Sequence, residues 1–329
     1  MRPMLSFRSI LSALALSMLG AVSTGSALAQ TNYPDKPLRF VVPYPPGGGT
    51  DVIARIVQDR FQALLGQPII IDNKGGAGGS VGSELAARAA PDGYTVLFTL
   101  SSHTINPAIY PKLSFDTIKD FESIGTVASL PQILVANPQV PANTVAELVA
   151  LAKAKPELLA YASVGNGSPG HLAGELFKLR TGTQMTHIPY RGGGPAVTDV
   201  ISGQVPLLWV SIPAAAQFVK AGKLKAFAVS TLKRSAAFPD VPTVQETGVP
   251  DFEVDSWYAM FVPARTPQPV IDRLNRTLNT IVAEPGIRDK LLAQGAEGVG
   301  GTPQTLTRIV AAEIPKWAKL AKDANIKAD

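Results

Sequence analysis

From residue 38 onward, apolar runs rich in Val, Ile and Phe alternate with stretches of helical period, and no other feature limits the fold as much. "LRFVVPY" (38–44) predicts a buried strand. "TDVIARIVQDRFQALLG" (50–66) aligns Ile53, Ile56, Val57, Phe61 and Leu64 on one helical face and closes on Gly66. "PIIIDN" (68–73) predicts the next strand, "SVGSELAARAAPDG" (80–93) a short helix stopped at Pro91, and "YTVLFTL" (94–100) a third strand. Strand–helix–strand–helix–strand is the pattern of a parallel sheet covered by helices. The pattern restarts with a strand at 132–138, a helix at 144–156 and strands at 158–164, 185–190, 205–212 and 224–230. A proline-rich connection (238–251) leads to the strand "FEVDSWYAMFVP", and three helical stretches follow near 267–283, 285–294 and 304–322. A chain of 329 residues passes the size at which one hydrophobic core stops growing. The expected fold is therefore α/β with two lobes, each a mainly parallel sheet flanked by helices. Residues 30–130 together with 251–329 would form lobe 1, and 131–250 lobe 2.

The first 29 residues are set apart as an export leader. Arg2 and Arg8 precede the apolar run "ILSALALSMLGAV" (10–22), and Ala27 and Ala29 give the small-x-small pattern of a cleavage site after Ala29. The run is shorter than the ~20 apolar residues a membrane span requires. The expected location is the periplasm. The chain contains no cysteine, so its stability must come from burial without disulfides. Losing Arg2 and Arg8 lowers the formal charge from +5 to +3, spread along the chain without a Lys/Arg block or interleaved aromatics, which gives nucleic-acid binding little support. His103, His171 and His187 are too far apart for a metal motif. No cofactor or metal is expected.

Glycine-rich loops follow the predicted strands. In "PYPPGGGTD" (43–51), glycines let several backbone N–H groups turn toward one point, and the following helix adds unpaired donors and its positive dipole end. Thr50 or Asp51 can cap that helix. The loop lacks the Lys of a nucleotide phosphate loop. "KGGAGGSVG" (74–82) contains the formal G-x-S-x-G of a hydrolase elbow on Ser80, although "DNKGGA" separates it from the strand. In "YASVGNGSPGHLAGELFKL" (161–179), Gly165, Gly167 and Gly170 match G-x-G-x-x-G. The region that should hold a ribose-binding acid instead reads "MTHIPYRGGG", with Arg191. Together the loops at 44–51, 74–82, 101–104, 165–171 and 190–194 all lie at strand C-terminal ends, the edge where open α/β sheets bind ligands. They offer backbone donors and small hydroxyls without a convincing nucleophile–base pair.

Over essentially the whole chain after the leader, the sequence resembles the periplasmic solute-binding receptors of tripartite tricarboxylate transporters, the Bug-type proteins. The resemblance is carried in order by "YPDKPLRFVVPYPPGGGTDVIAR" (33–55), "GGAGGSVGSELAARAAPDGYTVLF" (75–98), "YASVGNGSPGHLAGELF" (161–177), "IPYRGGGPAVTDVISGQV" (188–205), "FPDVPTVQETG" (238–248) and "SWYAMFVPARTP" (256–267). It implies a two-lobed type II-like periplasmic-binding fold closing on a hinge around a small carboxylate: a di- or tricarboxylate, an acidic amino acid or an aromatic acid. Its ligand-binding set would be Tyr44, Pro46, Gly47, Gly48, Thr50, Asp51, Ser102, His103, Gly165, Gly167, Ser168, His171, Tyr190, Arg191 and Gly192. Tyr190 and Trp257 are candidate walls, while Asp199 is expected to order a helix. The expected partners are the carboxylate and the membrane permease of a tripartite transporter, and the expected assembly is a monomer. The alternatives are a ligand sensor for a signalling partner, a secreted serine hydrolase on Ser80, or an NADP-type oxidoreductase on Gly165–Gly170.

Overall fold

A computed structural model of the chain describes residues 33–110, 112–190 and 193–326. The leader, Arg191 and Gly192 lie outside the described residues. Strands β1 (Leu38–Val42), β2 (Ile69–Asn73) and β3 (Thr95–Leu100) pair in parallel, with β1 in the middle. Helix α1 (Gly49–Leu65) connects β1 to β2. It buries Ile53, Ala54, Val57, Phe61 and Leu65 and stops where Gly66 turns left-handed at φ 71°. Helices α2 (Ser80–Ala87) and α3 (Ser102–Ile109) follow β2 and β3.

Strand β4 (Phe121–Ala136) joins two sheet halves. Its partners change along its length. Phe121 to Pro131 pair with β9 (Asp255–Pro263), which lies antiparallel between β3 and β4, and β10 (Glu297–Gly300) pairs near Thr126–Ser129. From Gln132 onward the partners are β7 (Leu207–Ser211) and β8 (Lys225–Val229). Pro131 sits at the handover. A proline has no N–H for a ladder, so a change of partner is where a long strand tolerates one. The second half repeats the first: β5 (Ala160–Ser163), β6 (Thr186–Pro189) and β7 run parallel with β5 central. Among the described residues the sheet is mixed, two parallel triplets joined through the antiparallel strands β4 and β9.

The remaining helices are α4 (Val145–Ala154), α5 (Pro169–Thr181), α6 (Gly193–Ile201), α7 (Ile212–Lys220), α8 (Gln268–Ala283), α9 (Pro285–Ala293) and α10 (Pro303–Asp323). Helix α10 touches both cores. Leu306 and Val310 pack with Val41, Leu97, Phe121 and Phe261, whereas Trp317, Leu320 and Ala321 join the cluster of Leu134, Tyr161, Phe177 and Trp209. No helix among the described residues is long and apolar enough to cross a membrane.

The sequence predicts this strand only from residue 132 and none over 121–131, where Glu122, Ser123, Gly125, Thr126 and Ser129 break the apolar run. It also predicts a loop at 101–104, in a stretch of Ser, His, Thr, Asn and Pro that runs to 107. Those residues form α3, a helix of poor intrinsic formers with Pro107 inside it. It holds because His103, Thr104, Ile105, Asn106 and Ile109 are buried.

Candidate ligand-binding site

The loop after β1 is built around one carboxylate. Asp51, 3% exposed, accepts the Gly47 N–H at 2.9 Å and Arg55 Nε at 2.9 Å on Oδ2. Its Oδ1 accepts Asn73 Nδ2 at 3.1 Å, and the same amide donates to the Tyr44 carbonyl at 3.0 Å. Burial alone would raise the Asp51 carboxyl. The hydrogen bonds from Arg55, Gly47 and Asn73, with the Arg55 charge, outweigh it and hold the carboxyl below its ordinary value. Gly47 takes φ 78°, a conformation that favours glycine. The result is a fixed turn ahead of α1. The first-turn N–H groups of Gly49, Thr50 and Asp51 have no hydrogen-bond partner among the described residues. Pro46 is exposed at the tip, Gly48 is the uncapped N-cap, and Thr50 is buried. A Cβ on Gly49 would stand 2.8 Å from Tyr258 Oη, so the loop lies directly against that phenol. Tyr44 donates its hydroxyl to the Gly78 carbonyl at 3.4 Å, which joins this loop to the one after β2. Burial pushes its phenol up to about 12, against hydrogen bonds with Thr99 and Ser102.

The loop after β5 is built from neutral groups. Ser163 Oγ lies 2.7 Å from His187 Nε2 and accepts the Gly165 N–H at 3.1 Å. Ser168 caps α5 by accepting the His171 N–H at 3.2 Å. His171 Nδ1 accepts the Gly167 N–H at 3.1 Å, so that nitrogen carries no proton. The His171 and His187 rings stack at 3.8 Å, and Tyr161 stacks on His187 at 4.9 Å. Gly167, at φ 68°, leaves no room for a Cβ against Ile109 at the end of α3, so the two sheet halves touch here.

The other expected site residues separate into groups. Ser102 opens α3 beside Tyr44. His103, one residue on, turns into the core: it is 2% exposed, with ring centroids 5.0 Å from Phe121 and Phe261 and 6.1 Å from Phe115. Neither ring nitrogen has a partner, and burial pushes its pKa down to about 3. Tyr190 donates its hydroxyl to Asp199 Oδ2 at 2.6 Å, which ties the strand end to α6. Burial and the Asp199 carboxylate push that phenol up to about 12. Trp257 is a core residue, its Nε1 donating to Glu313 at 3.1 and 3.2 Å. Its neighbour Tyr258 points the other way because successive strand residues face opposite sides. Ser80 begins α2 and accepts Asn106 Nδ2 at 3.3 Å, with a 3-10 turn (Ala77–Gly79) between it and β2.

A cavity of about 290 Å³ opens beside the first loop. Gly47, Gly49, Val52 and Ile53 form one wall, Leu130 and Tyr258 the strand floor, and Ser211, Pro213 and Ala214 the wall from the second half, with Gln294 at the rim. Of these ten residues only Gly47 belongs to the set expected from sequence. Ser211 was within reach of the rule already applied, since it ends a parallel strand and precedes a helix. Leu130, Tyr258 and Gln294 carry no local signal. Among the described residues no group of His, Asp or Glu converges as for a metal ion.

The profile of the tripartite tricarboxylate transporter family receptor, TctC, matches residues 53–326. Protein BugT of Bordetella pertussis is 35% identical over 311 residues, covering 94% of this chain and 95% of its own length. Among solved structures, the periplasmic binding protein BugD superposes with TM-score 0.76 at 35% identity, over 90% of this chain and all of the other. The R. palustris protein Rpa4515, solved with adipate, superposes with TM-score 0.79 at 35% identity, over 90% of this chain and 99% of the other. The α/β architecture is that of these periplasmic binding proteins, and the chain belongs to the tripartite tricarboxylate transporter receptor family.

Proposed function

We propose that the mature chain is a periplasmic receptor that captures a small carboxylate between its two sheet halves and delivers it to the permease of a tripartite transporter. The observation that carries this reading is the turn at 47–51. Its fixed geometry leaves the N–H groups of Gly49, Thr50 and Asp51 open in the first turn of a helix, beside a cavity that Gly47 and Gly49 line, an arrangement suited to an anion. The Asp51 charge beside it is balanced by Arg55 at 2.9 Å. The adipate bound to a relative 35% identical supports the ligand class.

Lobes of 30–130 with 251–329 and of 131–250 would close on the β4–β9 crossing. There Ser129 Oγ bonds both Asp255 oxygens at 2.8 Å, and Gln132 Nε2 donates to Ser256 Oγ at 2.9 Å. Contacts from both lobes would favour the closed state, since only that state makes both sets together. Tyr44, Pro46, Gly47, Gly48, Thr50, Ser102, Gly165, Ser168, Tyr190, Arg191 and Gly192 remain members of the proposed ligand set, with Gly49, Ser211 and Tyr258 added. Asp51, Gly167 and His171 act by shaping the loops.

Thermal unfolding titrated with a panel of carboxylates tests the reading. Ligand at about 100 times its Kd adds about 2.7 kcal/mol of stability. A panel of mono-, di- and tricarboxylates that leaves the transition unmoved at millimolar concentration would overturn it.

A further inference from the structure

The walls of the cavity beside Gly49 carry information about the ligand's far end. Its volume of about 290 Å³ is roughly twice the ~150 Å³ of an apolar cavity that takes up benzene, room for on the order of ten non-hydrogen atoms. Val52, Ile53, Leu130, Pro213, Ala214 and the Tyr258 ring present carbon to it. The polar groups of the lining side chains are the Ser211 and Tyr258 hydroxyls and the Gln294 amide, all uncharged, and no Lys, Arg or His is among the described residues lining it. Arg55, one turn along α1, is engaged with Asp51. Ser211 is the N-cap of α7 yet makes no side-chain bond to its own helix, which leaves the hydroxyl for a ligand. A carboxylate taken into this space would leave water without meeting a counter-charge.

We infer that this cavity receives the uncharged body of the ligand, so that the preferred ligand is a monocarboxylate with a compact aliphatic or aromatic body, and that Ala214 and Gln294 determine its length and end charge. The inference rests on the receptor reading above, because the glycine loop must hold the single carboxylate. It also separates this chain from relatives that hold an acid charged at both ends.

Hexanoate and adipate test it directly, since they share a six-carbon chain and differ by one carboxylate. Calorimetric titration of the purified full chain at neutral pH should show hexanoate and benzoate binding at least tenfold more tightly than adipate. Ala214→Leu, which fills the cavity, should weaken hexanoate at least tenfold and leave acetate within threefold. Gln294→Arg, on an exposed rim, should narrow or invert the preference by supplying a cation to the second carboxylate. Adipate binding as tightly as hexanoate in the unmodified protein overturns the inference while leaving the receptor intact. So does an Ala214→Leu effect equal for acetate and hexanoate, or no change in preference with Gln294→Arg. If neither class of acid binds, the receptor reading fails and takes the inference with it.

Discussion

The loops at 43–51 and 163–171 are alike in sequence, each a glycine-rich passage from a parallel strand into a helix, yet they are built in opposite ways. The first is held by a charged group. Asp51 engages Gly47, Arg55 and Asn73, and the N–H groups of Gly49, Thr50 and Asp51 stay open. The second is held by neutral hydroxyl and imidazole groups, and it occupies its own donors: Gly165, Gly167, Ser168 and His171 all give their N–H to atoms of the same loop or its first helical turn. The same glycine pattern can thus present donors or occupy them, according to which side chains prop the turn. The second half's contribution to a ligand therefore shifts toward side chains such as Ser168 and toward 211–214, where Ser211 leaves the α7 N-terminus uncapped.

Acid is the strongest lever on the loop held by a carboxylate, but His103 must first be accounted for. Its folded pKa of about 3 lies below the ordinary 6.5 of a histidine, so the unfolded chain binds the extra proton. Its contribution is complete above pH 6.5 and is lost as pH falls toward 3, about 3–5 kcal/mol in all. Urea unfolding from pH 7 to pH 3.5 should show this slope, and His103→Phe should remove most of it. In that background the first loop can be followed by itself. The Asp51 carboxyl is held below its usual value, so its contribution persists to the ordinary carboxylate range and falls only beneath it. Amide exchange at Gly47, corrected for its intrinsic rate, should rise as pH falls beneath the ordinary carboxylate range, and exchange unchanged there would break the account of the first loop.

Asp51→Ala should cost about 2–4 kcal/mol in chemical denaturation, because Arg55 and the Gly47 N–H lose their acceptor, and should abolish carboxylate binding. His171→Ala removes one neutral acceptor and should cost about 1–2 kcal/mol, with affinity reduced and not lost. The smallest pair is the most diagnostic. Ser168→Ala deletes an N-cap and should cost about 1 kcal/mol, whereas Ser211→Ala caps nothing and should change stability by less than about 0.5 kcal/mol while weakening ligand. Equal costs for the two serines would erase the distinction between the loops.

Much of the architecture was legible because period and punctuation are local. Ile53, Val57 and Phe61 announce the buried face of α1, Gly66 its end, and the β-branched runs mark β1, β2, β3 and β7. The strand preceding Pro131 was not legible, since a proline ordinarily ends a strand and only the exchange of β9 for β7 and β8 as partners explains its survival. The helix at 102–109 was hidden by Ser, His, Thr, Asn and Pro, residues that form a helix there because burial overrides their propensity.

By itself, the sequence determined the alternation of strands and helices and the position of glycines at the strand ends, since both follow from the side-chain period and from backbone freedom. Tertiary structure alone decided which amides stay open, that His103 and Trp257 turn into the core while Tyr258 faces the cavity, and that Leu130, Ala214 and Gln294 share that cavity. Those outcomes depend on partners far along the chain, and a hydrogen bond or a shared wall between distant residues leaves no trace in local pattern.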